Sequence, residues 1–227
     1  MQNNLGSHIT ITYVHLRRGM AALALTLAPV LAIGGHVFFG TPLQASMSAH
    51  YHTGMRDWFV GVLCAVGAFL FLYKGYTPHE NRALNIAGVC APLTALFPMR
   101  PDADCSPVGA GFSWHGVFAV SFFLAIAYVC VFLYRDSATD ALPPPRRRLY
   151  HRVSRTCGHV MIGCVAAAVL YNFFVPAPLK QAWCARSIVF WLEAVAVAAF
   201  SVHWFFKSLA YDGGVSWLPW RLPRAGG

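Results

Sequence analysis

The sequence predicts an all-α, polytopic membrane protein: one domain over residues 1–227, a bundle of six transmembrane helices with the N- and C-termini cytoplasmic. Three observations lead there. Only 11% of the 227 residues are charged while 57% are apolar, against about 25% charged in soluble domains, so polar side chains are too few to coat a soluble globule. The apolar residues gather in six runs close to the ~20 residues a helix needs to cross a bilayer. The runs are also continuous rather than alternating, and longer than the ~10-residue strands of a membrane barrel.

The first run, 19–39, follows the basic flank His15-Leu16-Arg17-Arg18 and contains Val30-Leu31-Ala32, a sequence similar to a signal-peptide cleavage site. It continues through Val37-Phe38-Phe39, longer than a signal core, and is expected as a retained helix. The second, 58–75, comes directly after Asp57, a carboxylate suited to capping a helix and to the positive end of its dipole. The third, 83–99, contains Pro92 and finishes on Phe97-Pro98-Met99, so a kink or an early end with freed backbone carbonyls is expected. The fourth, 117–134, is opened by Trp114-His115-Gly116, and the fifth spans 158–175. The sixth, 187–206, reads SIVFWLEAVAVAAFSVHWFF and carries one acid, Glu193, and one histidine, His203. Every connection is too short for a soluble domain. The longest inner one, 135–157, is rich in proline and arginine and is expected to be mobile. Trp217 and Trp220 suit an interfacial anchor.

The net charge of +9 raises the question of a nucleic-acid partner, and its distribution answers it. With the N-terminus inside, thirteen of the 17 Lys and Arg fall on inner segments, and only Arg56, Arg100, Lys180 and Arg186 on outer ones. That is the positive-inside pattern of a bacterial inner (plasma) membrane protein, and no nucleic acid is expected. Arg146, Arg147 and Arg148, after three prolines, would lie against anionic headgroups. Of seven cysteines, none forms a C-x-x-C pair. Cys105 and Cys184 fall in outer loops, where an oxidising compartment would allow a disulfide; loops too far apart would leave two free thiols.

Glu193 is the residue that most constrains function. A carboxylate inside a membrane segment costs several kcal/mol, so such residues face a bundle interior and have a partner. Its helix position places it about 10 Å below the outer surface at 1.5 Å per residue. Near that depth and above it stand His36, Ser46, Ser48, His50, His52, Asp57 and His115, contributed by several helices that could meet around one cavity. In an acid–base reading, Glu193 donates a proton, His115 accepts one, and Asp57 and His52 stand at the rim. In an architectural reading, the same residues only hold the bundle together, as in a non-catalytic scaffold or regulatory subunit.

Two cofactor readings compete with these, and the sequence names no cofactor outright. Histidine and carboxylate suit zinc, with His36, His50, His52, His115, Asp57 and Glu193 as candidate ligands of a metal-dependent hydrolase. Ser48-x-x-x-His52 followed by Asp57 resembles the Ser/His/Asp set of the CREST membrane hydrolases, although their H-x-x-x-H pair on the last helix is missing here. Alternatively, His36 with His115, and His159 with His203, could hold b-type haems for electron transfer.

The order of features resembles the DRAM-like autophagy-modulator group and its relatives in GPI-lipid remodelling. The resemblance rests on Ala45-Ser46-Met47-Ser48 leading to Gly54, on Trp114-His115-Gly116-Val117-Phe118-Ala119, and on Trp191-Leu192-Glu193-Ala194-Val195. That family's Ser-Asp-x-Gly sequence is absent, Asp57 coming later. The resemblance implies a six-helix membrane protein whose partner is a membrane lipid that it binds, handles or remodels.

Overall fold

The computed structural model describes residues 2–101, 113–133 and 142–210. Helix α1 (Gln2–Pro29) runs through a π-helical turn (Val30–Gly34) into α2 (Gly35–Phe39). Pro29 has no N–H, so the carbonyl four residues before it loses its usual donor, and the wider turn begins directly after. Gly40, at φ +60°, ends this first long helical unit. A 3₁₀ turn (Ser48–His52) then leads to α3 (Arg56–Leu72), α4 (Pro78–Leu96), α5 (Trp114–Phe132), α6 (Pro144–Phe174), the short α7 (Ala177–Cys184) and α8 (Ile188–Ala210).

Among the described residues the six long units pack in chain order into a closed ring. α1 lies against α3 and α8, α3 against α4, α4 against α5, α5 against α6, and α6 against α8. Among the described residues, four stretches are long and apolar enough to cross a membrane: Val14–Phe39, Trp114–Phe132, Pro144–Phe174 and Ile188–Leu209. α3 has 17 residues and is about 25 Å long at 1.5 Å per residue, whereas α4 spends its first turns on His79, Glu80, Asn81 and Arg82.

Two elements differ from the sequence expectation. Residues 144–157 are helical, not an irregular linker, because Pro144 and Pro145 occupy the first turn of α6, where a missing N–H costs nothing and the fixed φ is already helical. The short α7 leaves no mark in the hydropathy pattern. The early end of α4 follows its prolines: the helix runs through Pro92 and stops at Leu96, two residues before Pro98.

Close approach of α3 and α4 depends on glycine. A Cβ on Gly67 would stand 2.5 Å from the Pro92 ring, and one on Gly88 would stand 2.7 Å from the Phe71 backbone nitrogen. Small residues at such crossings let helix backbones meet, which is how membrane helices gain packing without a hydrophobic driving force between them.

Candidate functional site

A cavity lies inside the ring among the described residues; the space within its outline, open solvent included, is about 620 Å³. Its walls come from α1, α3, α4, α5 and α8 and are overwhelmingly apolar. The polar exceptions, Ser48, Thr94, His115 and Glu193, come from the end of the bundle where α3, α5 and α8 begin and α4 finishes. Farther along the helices the lining is Ala24, Val66, Val197 and Phe200. The polar residues that touch the cavity are therefore confined to one end, and the surface they present to it is almost wholly apolar.

Each polar residue is set by local chemistry. Glu193, five residues into α8, accepts a 2.6 Å hydrogen bond from the Met47 backbone N–H. The neighbouring Phe190 N–H donates to the Ala45 carbonyl at 2.9 Å. Together these bonds seat the loop before α3 on the start of α8. His115 Nδ1 donates to the Thr94 carbonyl at 2.8 Å. Thr94 would ordinarily accept from the residue four positions on, but that residue is Pro98, so the carbonyl is available to a side chain. The Thr94 hydroxyl donates back to Cys90 at 2.8 Å. Ser48 donates to the Met99 sulfur at 3.0 Å and lies 3.1 Å from the Ser46 hydroxyl.

The remaining sequence candidates are distributed otherwise. His50 is buried at 1% exposure, bonds the Ser46 carbonyl at 3.1 Å and packs its ring against Phe190. His52 is exposed and donates to the Met99 carbonyl at 2.8 Å. Asp57, in the first turn of α3, and His36, on α2, are exposed. His52, Asp57 and His36 are not among the residues lining the cavity. Among the described residues no group of three or more His, Cys, Asp or Glu is placed to hold a metal ion. Of the haem pairs, His159 is exposed and bonds its own helix at the Arg155 carbonyl, whereas His203 is buried on Ser154. Cys184 is disulfide-bonded, and Cys64, Cys90, Cys130, Cys157 and Cys164 are free. Cys105 lies outside the described residues, as do Trp217 and Trp220. Arg146 and Arg148 are exposed, and Arg147 is half-buried, in the first turn of α6.

His50 gives the loop a pH dependence. Burial holds its imidazole below the ordinary value of 6.5, against the opposing pull of the Ser46 and Met47 carbonyls. Unfolding restores the ordinary value, so the unfolded chain binds more protons once the pH falls below about 6.5, and stability drops with falling pH across that window. Thermal unfolding in detergent should show this slope flattened in His50→Gln.

A second polar centre, missed in the sequence, closes the opposite end of the ring. Lys207 and Glu80, 1% and 0% exposed, form an ion pair between α8 and α4. Glu80 also accepts from the Tyr76 N–H at 2.9 Å, while its own N–H donates to the Thr77 hydroxyl at 3.1 Å. Arg17 of α1, 3% exposed, donates to the Tyr73 hydroxyl through Nε at 3.1 Å. Trp204 sets its ring edge-on to Tyr73 with centroids 5.1 Å apart, and Lys207 lies over both rings. The available signal was Thr77-Pro78-x-Glu80, a helix-start pattern of Ser or Thr with Glu three residues on. Its carboxylate reaches a lysine 127 positions away.

No protein-family model, curated protein or solved structure matches the chain.

Proposed function

We propose that this chain is an inner-membrane protein of six transmembrane helices that binds, handles or remodels a lipid in its central cavity. The observation that carries the reading is an apolar cavity inside the ring whose few polar neighbours, Glu193 and His115 among them, lie at one end. In this reading the lipid's head lies toward Glu193 and its chain toward Phe200. Both termini face the cytoplasm in this reading, because the basic residues concentrate on that side. The bonded state of Cys184 agrees with an oxidising compartment at the Glu193 end. α3 and α4, short or polar at one end, then cross within the ring, with their backbone and buried charges satisfied by neighbours. The resemblance to the DRAM-like and GPI-lipid-remodelling proteins points the same way. Glu193 and His115 are the acid–base candidates if the lipid is modified, and His52 and Asp57 stand outside that centre.

A specific observation favours one rival. Glu193 ties Met47 to α8, so its role would be architectural if no lipid uses it. Protein purified in a mild detergent and analysed by mass spectrometry separates the two. Wild type should retain a lipid, and Ala119→Trp, which fills the cavity one turn after His115, should lose it. Glu193→Gln keeps an acceptor for the Met47 N–H; retention of the same lipid by both variants would leave only the architectural role.

A further inference from the structure

Resting on the membrane reading above but not on its cavity, we infer that the outward face of α6 binds an anionic phospholipid, with its phosphate held between Arg148 and Arg152. Residues 144–159 contain five arginines and no Asp or Glu. Successive residues of a helix point about 100° apart, so the run Arg146-Arg147-Arg148 does not form one patch, and Arg147 is turned half inward. Positions three and four apart share a face instead. Arg148, Arg152, Arg155 and His159 follow that spacing, and all four are exposed. Among the described residues, neither Arg148 nor Arg152 has a hydrogen-bond or ion-pair partner. One turn apart, two such guanidinium groups can converge on one phosphate, whose oxygens accept several N–H bonds at once.

The same face says why the phosphate belongs to a lipid. Past His159 it continues as Ile162, Ala166 and Leu170, all exposed, so charge gives way to hydrocarbon along a single strip. His159, whose Nδ1 donates to the Arg155 carbonyl at 2.7 Å, is the last polar residue on it. α6 has 31 residues and is about 46 Å long at 1.5 Å per residue, against about 30 Å for the hydrocarbon core. Phe173 and Phe174 are exposed at its far end, so the surplus falls at the arginine end. Arg148 and Arg152 then stand at headgroup depth, beside a surface that meets acyl chains. A soluble anion would use only the charged half of this strip, whereas a phospholipid uses both halves. The basic end faces the cytoplasm in the membrane reading, and that leaflet is the one rich in anionic lipid.

The test places the full chain in nanodiscs of equal phosphatidylcholine and phosphatidylglycerol, re-extracts it into a mild detergent and counts retained lipids by native mass spectrometry. Phosphatidylglycerol should be preferred, and the double variant Arg148→Gln, Arg152→Gln should cut that preference by roughly fivefold per arginine. The double variant Lys74→Gln, Arg82→Gln removes two exposed cations from the same end of the ring and should leave it unchanged. Equal retention of both lipids by wild type overturns the inference. So does an equal loss in the two double variants, which would leave only the general surface potential of that end. Inorganic phosphate that raises the unfolding temperature in neutral detergent as much as phosphatidylglycerol does would reassign the site to a soluble ion. Ala119→Trp should keep the phosphatidylglycerol; its loss there would place the bound lipid in the cavity and overturn the inference. The substituted arginines are exposed, and unfolding temperatures in phosphatidylcholine alone check that the variants fold. Failure at α6 leaves the cavity reading standing.

Discussion

Lys207→Met should destabilise the folded chain by about 3–5 kcal/mol, the cost of leaving a buried carboxylate without its cation. Glu80 is fully buried at the start of α4, so no water can replace the ammonium. The second half of the prediction is what tests the cause. In the double variant Glu80→Gln, Lys207→Met both charges are gone, and a neutral amide can still accept from the Tyr76 N–H that Glu80 now holds. Most of the lost stability should therefore return, since replacing a whole buried ion pair by apolar or neutral groups is often close to neutral. Unfolding temperatures of the wild type, both single variants and the double variant in one detergent measure the coupling. Equal losses in Lys207→Met and the double variant would show that packing of the lysine stem, and not its charge, holds α8 to α4.

Gly88→Ala is expected to have the second largest effect, about 1–3 kcal/mol of destabilisation, the usual cost of forcing an extra carbon into a packed contact. The added Cβ would stand 2.7 Å from the Phe71 nitrogen and 2.9 Å from the Gly67 carbonyl oxygen. Both are backbone atoms, so no side-chain rotation relieves the overlap; α3 and α4 must separate. Because Phe59, Val66, Ala91 and Thr94 of those two helices line the cavity, the same substitution should weaken retention of the proposed lipid. Gly163 provides the control. A Cβ added there, on α6, would meet nothing within 4 Å, so Gly163→Ala should be neutral or stabilise the helix by up to about 1 kcal/mol. Similar losses at the two glycines would mean that helix propensity, and not the crossing, governs both.

The two centres differ in how far the sequence could announce them. Glu193 was conspicuous because it is the one acid within its apolar run, and membrane burial makes such a residue hard to overlook. Glu80 was hidden because His79, Asn81 and Arg82 surround it, and a polar helix start normally faces water or headgroups. Lys207, next to a basic and interfacial stretch, carried the same disguise. Their pairing depends on the ring closing α8 against α1 while α4 is brought alongside, a contact over 127 positions that no local pattern encodes. His115 was legible as a histidine at a helix start, yet its partner depended on Pro98 freeing the Thr94 carbonyl. His52 and Asp57 share their loop and helix start with the cavity's polar end, but their side chains stand outside it.

Hydropathy alone determined the all-helical character and the places of the apolar segments, because the cost of an unbonded backbone in hydrocarbon leaves little other choice. It also marked Glu193 as a residue that needs a partner. Only the tertiary structure decided what that partner is, which side chains share the cavity, and where the compensating charges sit. Those outcomes depend on which faces of separate helices meet, and a helix's apolar surface is too uniform along a membrane span to specify them.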